Sequence, residues 1–184
     1  VWSRRKNGEV YPQQVNMTLS RDASTQRVHQ IALFNDISER KQYQNHIQHL
    51  ALYDPLTDLP NRRLFEERLD QALRETRRKQ NLTALLYIDL DNFKPVNDTF
   101  GHATGDHLLL EVTRRLRRVV READTLARLG GDEFTVILHG LPNDEQSLSR
   151  VGDISDQIIE ALIEPYNIDK HAINLSASIG VALF

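Results

Sequence analysis

No cysteine occurs in the 184 residues. That absence excludes a disulfide scaffold, a Cys-ligated zinc or iron–sulfur site, and a cysteine nucleophile. It fits a reducing compartment. Long apolar runs are missing too, since none reaches the ~18–20 residues that span a bilayer. The start Val1-Trp2-Ser3-Arg4-Arg5-Lys6-Asn7-Gly8 does not read as a signal peptide, because no apolar stretch follows its basic residues. Nor is there a large excess of charge. Lys and Arg total 23 against 26 Asp and Glu, for a net −3, which argues against a nucleic-acid coat protein. What remains is ordinary globular usage, 40% apolar and 27% charged. At this length roughly 70% of the unfolded surface can be buried, so the core needs no disulfide or metal staple. The chain does not start with Met and stops on the apolar run Ser178-Ile179-Gly180-Val181-Ala182-Leu183-Phe184. It reads as an excerpt of a longer, soluble polypeptide, cytoplasmic or the cytoplasmic part of a membrane-linked one.

The first 36 residues alternate polar and apolar, with turn formers at Asn7-Gly8 and Arg21-Asp22, and predict antiparallel strands, the last over 27–34. Residues 37–53 hold no Gly or Pro. There Ile37, Tyr43, Ile47, Leu50 and Ala51 fall near helical spacing, Asp36 or Ser38 is placed to cap, and Pro55 is placed to stop the helix. Further helices are predicted over 62–79, 103–122 and 144–163, the second with Arg114, Arg115, Arg117 and Arg118 on its polar face. Strands are predicted over 83–90, 125–129 and 133–138, the last two joined at Gly130-Gly131. Two final strands are expected to meet near Asp169-Lys170. The sum is an α+β domain on a partly antiparallel sheet.

Four acids stand where acids are costly. Asp89 and Asp91 follow the apolar run Leu85-Leu86-Tyr87-Ile88, and Asp132 and Glu133 adjoin the Gly-Gly turn. Carboxylates gathered at strand ends form an oxygen-rich site suited to Mg²⁺ or Mn²⁺. Solvated turn residues are the alternative. Gly101, Gly105, Gly130 and Gly131 crowd into the same block, and the Gly-Gly pair permits positive φ and close approach of a ligand to the backbone. Taken alone, Asn97 reads as a turn residue, Asp106 as a helix N-cap and Lys94 as a surface lysine.

The run Arg128-Leu129-Gly130-Gly131-Asp132-Glu133-Phe134 resembles the signature of the GGDEF domain, the diguanylate cyclase family. The upstream segment Asp89-Leu90-Asp91-Asn92-Phe93-Lys94-Pro95-Val96-Asn97-Asp98-Thr99-Phe100-Gly101-His102-Ala103-Thr104-Gly105-Asp106 resembles the same family. So do Asp54-Pro55-Leu56-Thr57-Asp58-Leu59-Pro60-Asn61-Arg62, with Asp58 where Gly is usual, and Ser176-Ala177-Ser178-Ile179-Gly180-Val181-Ala182. The likeness covers residues 50–184. Residues 1–36, notably Trp2 to Gly8 and Phe34-Asn35-Asp36-Ile37-Ser38-Glu39-Arg40-Lys41, resemble the closing strands and exit of a PAS sensor domain.

The resemblance implies a C-terminally incomplete GGDEF domain over 54–184, a helical connector over 37–53 and a PAS tail over 1–36. The implied fold is a mixed sheet with flanking helices, like a polymerase palm. The implied reaction joins two GTP into cyclic di-GMP and releases two pyrophosphates. Asp89, the carbonyl of Leu90 and Asp132 would hold Mg²⁺ or Mn²⁺, and either Asp132 or Glu133 would accept the proton of the attacking 3′-hydroxyl. Asn97 and Asp106 would read guanine, whose paired donors a carboxylate can accept together. Adenine would leave Asp106 unpaired, a mismatch that discriminates by roughly 10⁴ in a dry site. Lys94 and the backbone of Phe93 would meet phosphates, His102 would line the pocket, and Gly130 and Gly131 would admit the nucleotide.

Arg121 and Asp124 match an Arg-x-x-Asp product-inhibition site, whose second basic residue aligns with Gln157. A cyclic product of two identical halves calls for a homodimer, with residues 37–53 pairing as a short coiled coil that passes a sensory signal. A helix lying on its own domain is the alternative. The family's later Lys and Arg motif for the terminal phosphates does not occur in this chain. The other functional reading is therefore a GTP- or cyclic di-GMP-binding module that controls a neighbouring domain, such as an EAL phosphodiesterase.

Overall fold

A computed structural model describes residues 1–21, 28–168 and 171–184. The chain divides into two compact units, Val1–Leu50 and Ala51–Phe184. No helix is long and apolar enough to cross a membrane among the described residues.

In the first unit β1 (Trp2–Arg4), β2 (Val10–Arg21) and β3 (Val28–Asp36) form an antiparallel sheet in the order β1-β2-β3. Gly8, with φ 89°, makes the expected turn between the first two. The expected turn past Arg21, at Asp22, lies outside the described residues, as does Arg27. Met17, Leu19 and Phe34 are exposed. Helix α1 (Ser38–Leu52) starts where Asp36 accepts hydrogen bonds from the Ser38 amide at 2.9 Å and the Ser38 hydroxyl at 2.6 Å. These bonds, with help from Arg5, hold the Asp36 carboxyl below its ordinary pKa. Tyr43, Ile47 and Leu50 make an exposed apolar stripe along the helix.

The second unit runs α2 (Arg62–Lys79), β4 (Leu82–Asp91), α3 (Phe93–Phe100), α4 (His102–Val119), β5 (Thr125–Gly130), β6 (Glu133–Leu141), α5 (Glu145–Ile163), β7 (Tyr166–Ile168), β8 (His171–Ile173) and β9 (Ser176–Leu183). The architecture is α+β. The main sheet has the order β5-β6-β4-β9, and each of its pairings is antiparallel, not mixed. The connections explain this. The crossover from β4 through α3 and α4 to β5 leaves a gap that β6 fills. The crossover from β6 through α5 to β9 leaves a gap that β4 fills. Two split β-α-β units therefore interlock, and every neighbour runs the opposite way.

Strand β4 alternates strictly between the two faces of this sheet. Ala84, Leu86, Ile88 and Leu90 point into the main core. There they meet Phe134, Val136 and Leu138 of β6, Leu108, Val112 and Leu116 of α4, and Ile158 and Leu162 of α5. On the other face α2 places Phe65, Leu69 and Ala72 against Leu85, Ala127, Leu129 and Ile137. Asn61 fixes the start of α2, its side-chain oxygen accepting from the Leu64 amide at 3.1 Å. Asp144 does the same for α5.

The sequence reading departs from this fold at four places. Residues 93–100 form a helix of their own, which the pattern with Pro95 inside it did not reveal. Gly101, at φ 86° and ψ 160°, separates it from α4, which starts at His102 and stops at Val119 because Val120 is extended. Arg115 does not face solvent. It is 9% exposed and donates to the carbonyls of Ala161, Glu164 and Pro165, tying down the end of α5. Three strands close the chain instead of two: β7 and β8 make a separate ribbon, and β9 joins the main sheet. The turn at Asp169-Lys170 lies outside the described residues. Asp58, which stands where the resemblance expects Gly, takes the left-handed conformation that Asp tolerates, at φ 55°.

Candidate active site

Helix α2 covers only one end of its face of the sheet. Beyond that end the cross-strand rows become polar. Tyr87 faces Thr135 and Gly180, Asp89 faces Glu133 and Ser178, and Asp91 faces Ser176. Cross-strand partners share a face. The register therefore gathers Asp89, Asp91 and Glu133, expected from sequence as a group, on the uncovered part of the sheet.

Asp132 and Glu133 are delivered by the turn between β5 and β6. Gly130 and Gly131 have φ 144° and 50°, a region that favours glycine. The Leu90 amide donates to the Asp132 carbonyl at 3.3 Å, joining the turn to the end of β4, while the Leu90 side chain is buried. The turn is also held by Arg128, which sequence did not single out beyond its place in the motif. Its guanidinium donates to the Gly131 carbonyl at 3.1 and 2.8 Å and to the Asp54 carboxylate at 2.9 Å. Asp54 also accepts from the Thr57 amide at 2.8 Å and hydroxyl at 2.6 Å. Burial pushes the Asp54 carboxyl up, but Thr57 and Arg128 together outweigh it and leave the pKa lowered. The loop after α1 and the acid-bearing turn are thus one hydrogen-bonded assembly.

The acids differ in their partners. Asp91 accepts from the hydroxyls of Ser176 at 2.8 Å and Ser178 at 2.9 Å. Glu133 accepts from Arg62 at 3.2 Å, and its carboxylate beside the Tyr87 hydroxyl raises the tyrosine pKa. Asp89 is pushed up by desolvation and by the charges of Asp132, Glu133 and Asp91. Crowded like charge of this kind is what a divalent cation relieves. Among the described residues no three His, Cys, Asp or Glu side chains converge as a metal site. The expected set needs two, Asp89 and Asp132, plus a backbone carbonyl. All of these donors are oxygen, so the residues fit Mg²⁺ or Mn²⁺.

The expected base and phosphate residues lie on the two helices that follow β4. Asn97 is in α3 and Asp106 is inside α4, whose N-cap is Gly101, so neither the turn nor the N-cap alternative holds. Lys94, His102 and Asp106 are exposed, and the Phe93 side chain is in the core. Asn97 and Gly105 touch, a contact with no counterpart in the sequence reading.

Arg121 and Asp124 line a cavity of about 160 Å³ together with Arg150 and Ile154. One Asp124 oxygen accepts from the His139 amide at 3.0 Å. Gln157, the position aligned for a second basic residue, lines a different cavity with Arg114 and Arg118. The arginine from α5 that shares the cavity with Arg121 is Arg150, about two helical turns before Gln157.

The family model described as "Diguanylate cyclase, GGDEF domain" matches residues 51–184. The bifunctional diguanylate cyclase/cyclic di-GMP phosphodiesterase MucR of Pseudomonas aeruginosa is 46% identical over 136 residues, 73% of this chain and 19% of MucR. The chain therefore spans about a fifth of that relative's length. A structure of TpbB from the same organism, comprising only its GGDEF domain, is 42% identical with a TM-score of 0.67, covering 72% of this chain and 75% of that one. The coiled coil and GGDEF domain of DgcB from Caulobacter crescentus, in complex with cyclic di-GMP, aligns with a TM-score of 0.69 at 27% identity, covering 80% and 77%.

Proposed function

The chain belongs to the GGDEF diguanylate cyclase family, and from that premise we propose that it condenses two GTP into cyclic di-GMP and two pyrophosphates. The observation that carries the reading is the set of like-charged acids on the uncovered sheet face, with the Asp89 carboxyl raised by desolvation and by the charges of its neighbours. A metal-free receptor gains nothing from such crowding.

In this reading Asp89, the Leu90 carbonyl and Asp132 hold Mg²⁺ or Mn²⁺. When bound, the metal lowers the pKa of the 3′-hydroxyl and offsets charge on the α-phosphate and leaving oxygens. Asp132 or Glu133 accepts the hydroxyl proton, the latter held by Arg62 and next to Tyr87. Lys94 and the backbone at Phe93 meet the phosphates, and Gly130 and Gly131 let the nucleotide approach the turn. Asp106 accepts the paired guanine donors, Asn97 complements the rest of the polar edge, and His102 lines the pocket. Arg121 and Asp124 bind product as a regulatory site, with Arg150 as the added cation.

Each subunit supplies half of a cyclic product, so the working unit is a homodimer. Tyr43, Ile47 and Leu50 of α1 are the seam for a parallel copy, and the 1–36 sheet is the end of a PAS sensor acting through that helix in the cytoplasm. MucR's two activities favour one further reading, in which the domain binds GTP or cyclic di-GMP and regulates a phosphodiesterase partner domain. Chromatography of GTP incubated with the protein and Mg²⁺ separates them. Cyclic di-GMP that vanishes on chelation supports the cyclase, whereas bound but unconverted GTP supports the regulator.

A further inference from the structure

Gly105 is buried one turn into α4. A glycine inside a helix is costly relative to alanine, because it loses more freedom on folding. Backbone conformation does not explain it, since Gly105 is absent from the glycines with positive φ. Space does. A Cβ at Gly105 would lie 1.9 Å from Asn97 Oδ1, 2.9 Å from Asn97 Cγ and 3.4 Å from Phe93 Cζ. The first distance is far inside any non-bonded contact, so the Asn97 carboxamide fills the volume that a side chain would need.

The two neighbours differ in what they can do. Phe93 is packed in the core at 7% exposure and has nowhere to retreat. Asn97 is half-buried, and no hydrogen bond within the described residues holds its carboxamide. The bare backbone at Gly105 is therefore what lets this amide lie against α4, next to the residue that precedes Asp106 in the chain.

We propose that Gly105 is a positioning residue for base recognition: by lacking a side chain it seats the Asn97 carboxamide beside Asp106, so that both meet one guanine edge. The proposal rests on the reading of the chain as a GTP-binding cyclase. A methyl group at 105 pushes the amide outward. It leaves the helix intact, since alanine is the better helix former. Recognition is lost while folding is kept.

The test is a cycle of four whole chains: parent, Gly105→Ala, Asn97→Ala and the double variant. Binding of GTP and of ATP is measured with Mg²⁺ by calorimetry, and thermal unfolding is measured alongside. Gly105→Ala is expected to melt no lower than the parent, to bind GTP about tenfold more weakly, and to lose a similar part of its preference over ATP. In the Asn97→Ala background the same glycine change is expected to cost less than twofold. Equal GTP affinity for parent and Gly105→Ala overturns the proposal, as does a full tenfold loss in both backgrounds. If Gly105→Ala unfolds, recovery of stability in the double variant supports the contact, and no recovery overturns it. A parent that binds no GTP overturns the cyclase reading itself, an outcome distinct from a parent that binds and a glycine variant that binds equally well.

Discussion

The two faces of the β4 strand carry residues from the same ten-residue segment, yet they meet opposite physical demands. On one face Ala84, Leu86, Ile88 and Leu90 are at most 1% exposed beneath α4 and α5. On the other, α2 covers Leu85 and stops, leaving Tyr87, Asp89 and Asp91 in a polar row with Glu133, Ser176 and Ser178. The covered face shows what stabilises the domain. The uncovered face shows what the domain gives up, because the Asp89 carboxyl is held there against desolvation and like charge. Sites that work against stability in this way are where function concentrates.

The contrast can be broken most severely from the covered side. Phe134 is fully buried and lies next in sequence to Glu133, on the opposite face. Phe134→Ala is expected to cost about 3–5 kcal/mol of stability, read by denaturant unfolding, with turnover falling only as the folded fraction falls. A loss below ~1 kcal/mol would mean that the core face is not what carries the fold.

The assembly that spans both demands comes next. Arg128 and Asp54 have side chains only 10% and 16% exposed. Arg128→Met leaves Asp54 without its cation and is expected to cost about 3 kcal/mol. The pH dependence follows from the lowered Asp54 pKa. A depressed carboxyl contributes stability that is present above its unfolded value of 3.8 and is lost as pH falls through the folded value. Acid unfolding of the parent should therefore steepen below pH 3.8, and that limb should flatten in Arg128→Met.

On the uncovered face the stability effects shrink while the chemical ones grow. Tyr87→Phe removes the hydroxyl that neighbours Glu133 and is expected to cost no more than about 0.5–1 kcal/mol of stability, with a larger fractional drop in turnover than in GTP affinity. Equal losses in both would show that Tyr87 serves binding and not the orientation of Glu133. The smallest effect carries the opposite sign. A raised Asp89 pKa means a contribution that is lost as pH rises through the folded value, so at neutral pH the charged group is unfavourable. Without divalent cation, Asp89→Asn should gain up to about 0.5 kcal/mol, kept small by solvent screening of an exposed group.

The same contrast explains what was legible in the sequence. The alternation of β4 and the stripes of α2, α4 and α5 were visible because burial imposes a period. Asp89, Asp132 and Glu133 were visible because acids at the ends of apolar strands are costly, and Asn97 and Asp106 only through resemblance. Tyr87 and Arg62 were not singled out, since their meeting with Glu133 depends on register and on where α2 begins. Arg115 looked like one of four solvated arginines because its partners, the last carbonyls of α5, lie far along the chain. The α3 helix was hidden by Pro95, and the break at Gly101 merged two helices into one motif. Arg150 was missed because motif spacing fixes an alignment, whereas which turn of α5 faces Arg121 is set by packing.

The most direct test is turnover of GTP by the parent and by Asp132→Ala across a Mg²⁺ titration, with both proteins shown by unfolding to be equally folded. The account predicts Mg²⁺-dependent cyclic di-GMP from the parent and a loss of at least about 10³-fold in the variant at unchanged stability. Equal turnover in both, or a loss that follows unfolding alone, would show that the uncovered face is not the site of the chemistry.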